Sequence, residues 1–276
     1  MFGSIFSKTK GGNTKQRIEE LPSHSSQTVC KRLLVIDSDA SHDWAGVFAG
    51  STVAVSGNNV PIEVVQVGWG DMLCTSDNGG CQVDVIAKRA GVAAASRTFK
   101  PDFVLIRNEV RGIDAATDFR HNLWGLMHGG VPSINSLASI MAFCERPVVH
   151  AELKAIQRRV GKSVFPVISQ TYYAGHRSML FGPGFPAVIK VGHAHAGYGK
   201  MRVHHHHDFG DFASVMAVAG SYCTAEPFVE ADYDLRIQKI GCHYRAFKRI
   251  SASGSWKTNV VSTYMQCKAS SRVLKI

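Results

Sequence analysis

Nowhere in the chain do about 18 apolar residues run together, so no segment is long enough to cross a bilayer as a helix. The opening stretch Met1–Lys10 lacks the apolar core of a secretion signal, and Phe2 stands where N-myristoylation needs glycine. Any membrane contact is therefore expected to be peripheral. Cysteine occurs seven times but never as C-x-x-C, so neither a zinc ribbon nor a redox motif is indicated. Cys74 and Cys81 stand across a turn and could bridge, but the odd, irregular set reads better as reduced thiols in a reducing compartment. Charge is scarce at 19% of residues, below the globular norm, and acids are the scarcer kind. Against 31 Lys and Arg there are 21 Asp and Glu, leaving +10 with 13 histidines neutral. That balance favours an anionic partner (nucleotide, acidic phospholipid, acidic filament or nucleic acid) unless it is simply a solvated basic surface. A Walker A sequence is also missing, and no G-x-G-x-x-G opens a helix.

What is present suffices for a core: 276 residues, 45% of them hydrophobic, fit one large or two modest domains. Residues 1–30 are polar and read as a flexible leader, in which Phe2, Ile5 and Phe6 near Lys8 and Lys10 offer at most a weak lipid contact. Arg32–Asp37 and Asp102–Arg107 are short apolar runs of the buried parallel-strand kind, with further strands at 62–67 and 81–87. Phe119, Leu123, Leu126 and Met127 predict a helix over 115–128, stopped by Gly129-Gly130. Ser133–Ser136 offers caps for a helix from Leu137, and another follows Pro147 as far as Gly161. Strands alternating with helices to about residue 133 predict a doubly wound sheet with helices on both faces. Beyond it the pattern is α+β: strands at 164–173 and 187–191, a helix over 208–220, and a hairpin of 234–240 with 242–250 turning at Gly241-Cys242.

The chemistry concentrates in Phe185–Val203. An apolar strand reaches Lys190, a loop carries Gly192, Gly197 and Gly199, and Lys200 opens the return strand. Glycines let backbone N–H groups turn toward a phosphate, and two flanking lysines supply point charges. The same pattern also suits a plain hairpin with a flexible tip. His193 and His195 alternate and could share a metal; loop donors to phosphate or plain polar surface fit them better. Glu226, in Ala225–Val229, could accept from an adenine amino group, or the segment is an ordinary linker. Asp234 and Arg236 share a strand face; Arg236 and Lys257 could complete a phosphate pocket, or Asp234 and Arg236 form a surface ion pair. The run His204–His207 could adhere to a metal but fits better as a solvated turn before the Asp208 helix, because successive residues cannot all face one ion.

Several long runs resemble the central domain of synapsins: Lys31–Asp37 with His42–Trp44, Phe99–Arg107, Asp118–His121, Gly130–Leu137, Gln170–Tyr173, Gly192–His195 and Ser253–Asn259. This resemblance implies an α/β protein with a Rossmann-like pre-ATP-grasp domain over 31–133. An incomplete α+β ATP-grasp domain over 134–259 follows, then a divergent tail, 260–276. It implies ATP as ligand, with Lys190 and Lys200 on the phosphates under the loop of Gly192, His193, His195, Gly197 and Gly199. Glu226, Phe228 and Val229 would line the base and ribose, with Asp234, Arg236 and Lys257 at polar positions around the nucleotide. Arg146 stands where the family usually carries lysine, and its bulkier guanidinium need not bind identically. The tail does not resemble the family, whose continuation supplies the carboxylates that hold a divalent ion, Ca²⁺ or Mg²⁺. The expectation is therefore an impaired ATP site without those metal ligands.

The function so implied is that of a cytoplasmic ATP-binding protein, peripheral on synaptic vesicles at the presynaptic terminal, regulating vesicle clustering and neurotransmitter release. Its partners would be the acidic phospholipid surface of the vesicle and actin, not nucleic acid, and it would form a homodimer or higher oligomer. Phosphorylation is less legible. The leader holds no Arg-x-x-Ser, and Lys248–Ser251, in a predicted strand, only superficially resembles a kinase site. Two alternatives stand beside this reading: a remnant of an ATP-grasp carboxylate–amine ligase, and a scaffold that uses no nucleotide. Catalysis is not expected, because no carboxylate cluster suited to a metal follows residue 234.

Overall fold

The computed structural model describes residues 30–89, 92–193, 197–257 and 262–267. The leader 1–29 and most of the tail 260–276 lie outside them. The first unit comprises β1 (Lys31–Ile36), α1 (Trp44–Val47), β2 (Thr52–Val55), β3 (Asn58–Val67), β4 (Met72–Asp77), β5 (Gly80–Arg89), β6 (Val92–Phe99), β7 (Phe103–Ile106), α2 (Arg120–His128) and β8 (Ser133–Ile134). Its main sheet runs in the order β2-β3-β1-β7-β8, with β3, β1, β7 and β8 parallel and β2 antiparallel at the edge. A central parallel strand is covered on both faces, which is why β1 runs on from Lys31-Arg32 as the apolar Leu33–Ile36, with Leu34, Val35 and Ile36 fully buried.

Helices do not cover both faces of this sheet, as the strand–helix alternation had suggested. The connection from β3 to β7 is an antiparallel sheet, β4-β5-β6, that joins α2 over one face. There Met72, Cys81, Val83 and Phe99 pack with Leu34, Ile36, Val104, Leu123 and Leu126. The reason is a two-residue period: Met72, Cys74 and Ser76 point inward while Leu73, Thr75 and Asp77 point out. Contact with α2 is close enough to demand glycine, since a Cβ on Gly129 would stand 2.5 Å from the Cys81 Cβ and 2.6 Å from its backbone nitrogen. The other face carries the four-residue α1 and a cavity of about 480 Å³ bounded by Leu33, Phe48, Val53, Ile62, Phe103 and Leu105. The helix expected over 115–128 starts at Arg120. Before it, Asp114 accepts from the Thr117 N–H and closes a single 3₁₀ turn, because short polar side chains there compete for backbone donors.

The second unit comprises α3 (Leu137–Phe143), α4 (Arg146–Val160), β9 (Thr171–Tyr173), β10 (Ala187–Val191), β11 (Lys200–Val203), α5 (His206–Ala219), β12 (Cys223–Pro227), β13 (Asp234–Ile240), β14 (His243–Ser251) and β15 (Ser262–Cys267). Ser136 caps α3 through the Ser139 N–H, as its position suggested. An antiparallel sheet, β11-β10-β12-β9, lays one face on α5, burying Ile189, Val203, Cys223 and Ala225 against Phe209, Phe212 and Met216. Only Thr171–Tyr173 of the expected strand 164–173 is a strand. Upstream, Gln157 donates to the Phe165 carbonyl at 2.9 Å and Pro166 brings no N–H to a ladder. The hairpin β13–β14 turns at Gly241, whose φ of 59° is left-handed, and β15 pairs with the free edge of β14.

Candidate functional site

Alternate residues of a strand face opposite ways, so the face of β11-β10-β12 turned away from α5 carries every second residue. Register makes that face polar: Lys190 lies opposite Lys200 on one side and Thr224 on the other, and Val188 lies between Arg202 and Glu226. The Lys190 ammonium pairs with Glu226 Oε2, and Gln170 donates to Glu226 Oε1 at 2.8 Å. Both ion-pair side chains are largely buried, 17% and 15% exposed. Arg146 enters at the start of α4, and Arg249 comes from β14, held by Asp234 at 2.5 Å.

The electrostatics of this face are lopsided. Burial pushes the Lys200 ammonium below its ordinary value, and Arg146, Lys190 and Arg249 push it further by repulsion, with Glu226 alone opposing. Burial likewise lowers Arg146, against the attraction of Glu226 and Tyr222. Four cations (Arg146, Lys190, Lys200, Arg249) thus gather about this face, with Glu226 on Lys190 and Asp234 on Arg249. On the same face Thr224 is fully buried, and its hydroxyl makes no hydrogen bond among the described residues. Desolvated like charges repel one another at a cost in stability, and a polyanion such as a triphosphate relieves that repulsion.

The β10–β11 hairpin takes the glycines where the backbone turns left-handed: φ is 49° at Gly192, 91° at Gly197 and 60° at Gly199. The Gly192 N–H donates to the Tyr222 carbonyl at 2.8 Å. His193 is already engaged, its Nε2 lying 2.6 Å from the Gly112 carbonyl of the first unit; His195 lies outside the described residues. Beyond β12, Phe228 sits between the Arg202 guanidinium, 4.8 Å from its ring centre, and Trp256, 6.0 Å away edge to face. The Lys257 ammonium lies 5.5 Å from the Trp256 ring. Among the expected residues, then, Arg146, Lys190, Lys200 and Glu226 converge, with Asp234 joined through Arg249. Phe228 and Lys257 form an adjoining aromatic patch. Val229 is 64% exposed and Arg236 is exposed beside Phe247, so neither reaches the cluster. Asp234 pairs with Arg249 rather than with Arg236. Arg249 had a readable signal, since the Gly241-Cys242 turn fixes the register that sets it opposite Asp234. Gln170, Glu145 and Tyr222 had none.

Residues 26–133 match the synapsin pre-ATP-grasp domain, and residues 135–276 match the synapsin ATP-binding domain. The chain belongs to the synapsin family. The second match runs through 260–276, the stretch the sequence reading set apart. Synapsin of Drosophila melanogaster is 40% identical over 239 residues, covering 85% of this chain, and the chain spans 23% of that relative's length. Among solved structures, D-alanyl-alanine synthetase A of Vibrio cholerae aligns with a TM-score of 0.52 at 13% identity, covering 87% of this chain and 74% of its own. The ATP-grasp ligase PsnB, complexed with minimal precursor, Mg and ADP, aligns with a TM-score of 0.50 at 14% identity, over 91% and 80% of the two chains. At such identities the ligases establish the fold alone: a pre-ATP-grasp unit followed by an ATP-grasp unit. For this synapsin-family chain the polar face of β11-β10-β12 lies within the ATP-binding domain.

Proposed function

We propose that this chain binds ATP as a regulatory ligand, with the triphosphate against Lys190, Lys200 and Arg146. The observation that carries the reading is the register that sets Lys190 opposite Lys200 beside Glu226, where Arg146 and Arg249 add their repulsion to the Lys200 ammonium. An arriving triphosphate draws Lys190 from Glu226 and relieves the repulsion on Lys200, which frees Glu226 to accept from a base amino group. Phe228 and Trp256 supply an apolar wall beside it. A divalent ion fits these residues poorly. Among the described residues no group of three or more His, Cys, Asp or Glu gathers, and Glu226 and Asp234 are each committed to a cation.

The family relation and the +10 charge support a role at an acidic phospholipid surface, that of the synaptic vesicle, with actin and further copies of the chain as partners. On this reading the protein is cytoplasmic and peripheral at the presynaptic terminal, where ATP occupancy biases vesicle clustering and release. Among the described residues no helix is long and apolar enough to cross a membrane. Catalysis is not part of the proposal, since the ligase alternative rests on the fold alone. Calorimetric titration tests the reading: ATP should bind saturably, and Lys190→Ala should weaken it about 10-fold or more, the loss of a charge-assisted contact. Equal affinity in the two proteins removes Lys190 from the site.

A further inference from the structure

Glu145 stands immediately before Arg146, at the cap position of α4. An acid there ordinarily accepts from the N–H groups of the first turn. This one makes no such bond. Its Oε1 instead takes the Arg111 and Arg120 guanidinium groups, and its Oε2 takes the Tyr222 hydroxyl. Arg120 is itself fixed on Asp118 through Nε at 2.9 Å and Nη2 at 2.6 Å. Both arginines belong to the first unit, whereas Tyr222 directly precedes β12. From Tyr222 the contacts return: its carbonyl takes the Gly192 N–H, and the next residue, His193, bonds the carbonyl of Gly112, neighbour of Arg111. The ring Arg111–Glu145–Tyr222–Gly192–His193–Gly112 joins the two units at the edge of the cation cluster.

The side chains of Arg111, Arg120 and Glu145 are 20%, 23% and 23% exposed, so these charge-assisted bonds are only partly screened by water. Losing Glu145 would take the carboxylate from Arg111 and leave Arg120 on Asp118 alone, with a third guanidinium, Arg146, at the next residue. We propose that Glu145 is a positioning residue: it anchors the start of α4 to the first unit and to β12, holding the Arg146 guanidinium at the nucleotide phosphates. The nucleotide affinity of the second unit then depends on Arg111 and Arg120 of the first. This inference rests on the ATP reading above.

A double-mutant cycle on the full chain tests it, with ATP affinity as the readout. Glu145→Gln should weaken ATP about 10-fold when Arg146 is present and less than about 2-fold in an Arg146→Gln background, because only one arrangement is lost. Tyr222→Phe, which removes one contact and keeps the ring, should give an intermediate loss that also vanishes without Arg146. Losses that multiply across the two backgrounds show an unspecific structural effect and overturn the inference. If the unmodified chain binds no ATP, the nucleotide reading falls, and hydrogen exchange in the ligand-free chain decides the positioning claim. Glu145→Gln should then speed exchange at 146–149 and 222–224 together, and unchanged exchange at both overturns it.

Discussion

Lys200 offers the most discriminating perturbation, because function and stability should respond to it with opposite signs. It lies opposite Lys190 on the neighbouring strand, burial and three cations hold its ammonium below the ordinary value, and Glu226 alone favours its charge. Lys200→Met keeps most of the stem and deletes the charge. Replacing a half-buried, poorly compensated charge with an apolar side chain stabilises by about 1 kcal/mol at the low end of such cases, so the ligand-free melting temperature should rise by about 2–4 °C. Ligand should do the reverse. ATP at about 100 times its Kd adds about 2.7 kcal/mol to the unmodified chain, a rise of roughly 5–11 °C. If the lost contact weakens ATP about 10-fold, the same concentration gives the variant about half that rise. Thermal unfolding by fluorescence, with ATP and with adenosine as the phosphate-free control, reads all four numbers. A variant that melts lower without ligand and keeps the full ATP shift refutes the reasoning, as does adenosine stabilising as much as ATP.

Asp37 gives a pH signature. It is nearly buried, which raises a carboxyl, but hydrogen bonds from Trp44 and His42 outweigh burial and bring its pKa from 3.8 to about 2. Its folded value being depressed, its contribution is complete above the unfolded value and is lost as pH falls from about 4 toward 2. Asp37→Ala, leaving the Trp44 indole N–H without its acceptor, should cost about 2 kcal/mol at neutral pH and flatten that acid limb in urea unfolding. Gly129→Ala sets a methyl group against the Cys81 backbone and should cost about 2–3 kcal/mol, measured as a lower urea midpoint at unchanged slope. Binding to acidic vesicles should fall steeply between low and physiological salt in flotation assays, and binding indifferent to salt would contradict a charge-driven surface.

The parts of this fold written in local periodicity could be read before any coordinates. The apolar runs of β1 and β7, the glycines of the β10–β11 turn and the lysines on either side of it are local facts, and the hairpin brings Lys190 opposite Lys200 as its strands require. The β13–β14 turn behaved likewise. The three-stranded sheet β4-β5-β6 was half visible, because a two-residue period marks a strand but not which face of another sheet it will cover. Least legible were side chains that matter only once distant segments meet. Glu145 meets its partners only through Arg111, Arg120 and Tyr222, 34, 25 and 77 residues away in sequence. Arg236 and Val229, which the resemblance placed beside the nucleotide, are exposed on the folded strand and loop.

A crystal structure with a non-hydrolysable ATP analogue tests the central claim most directly. Phosphate oxygens should lie within about 2.7–3.2 Å of the Lys190 and Lys200 ammonium groups, with the Lys190–Glu226 pair opened. Phosphates resting elsewhere, with that pair intact, would contradict it.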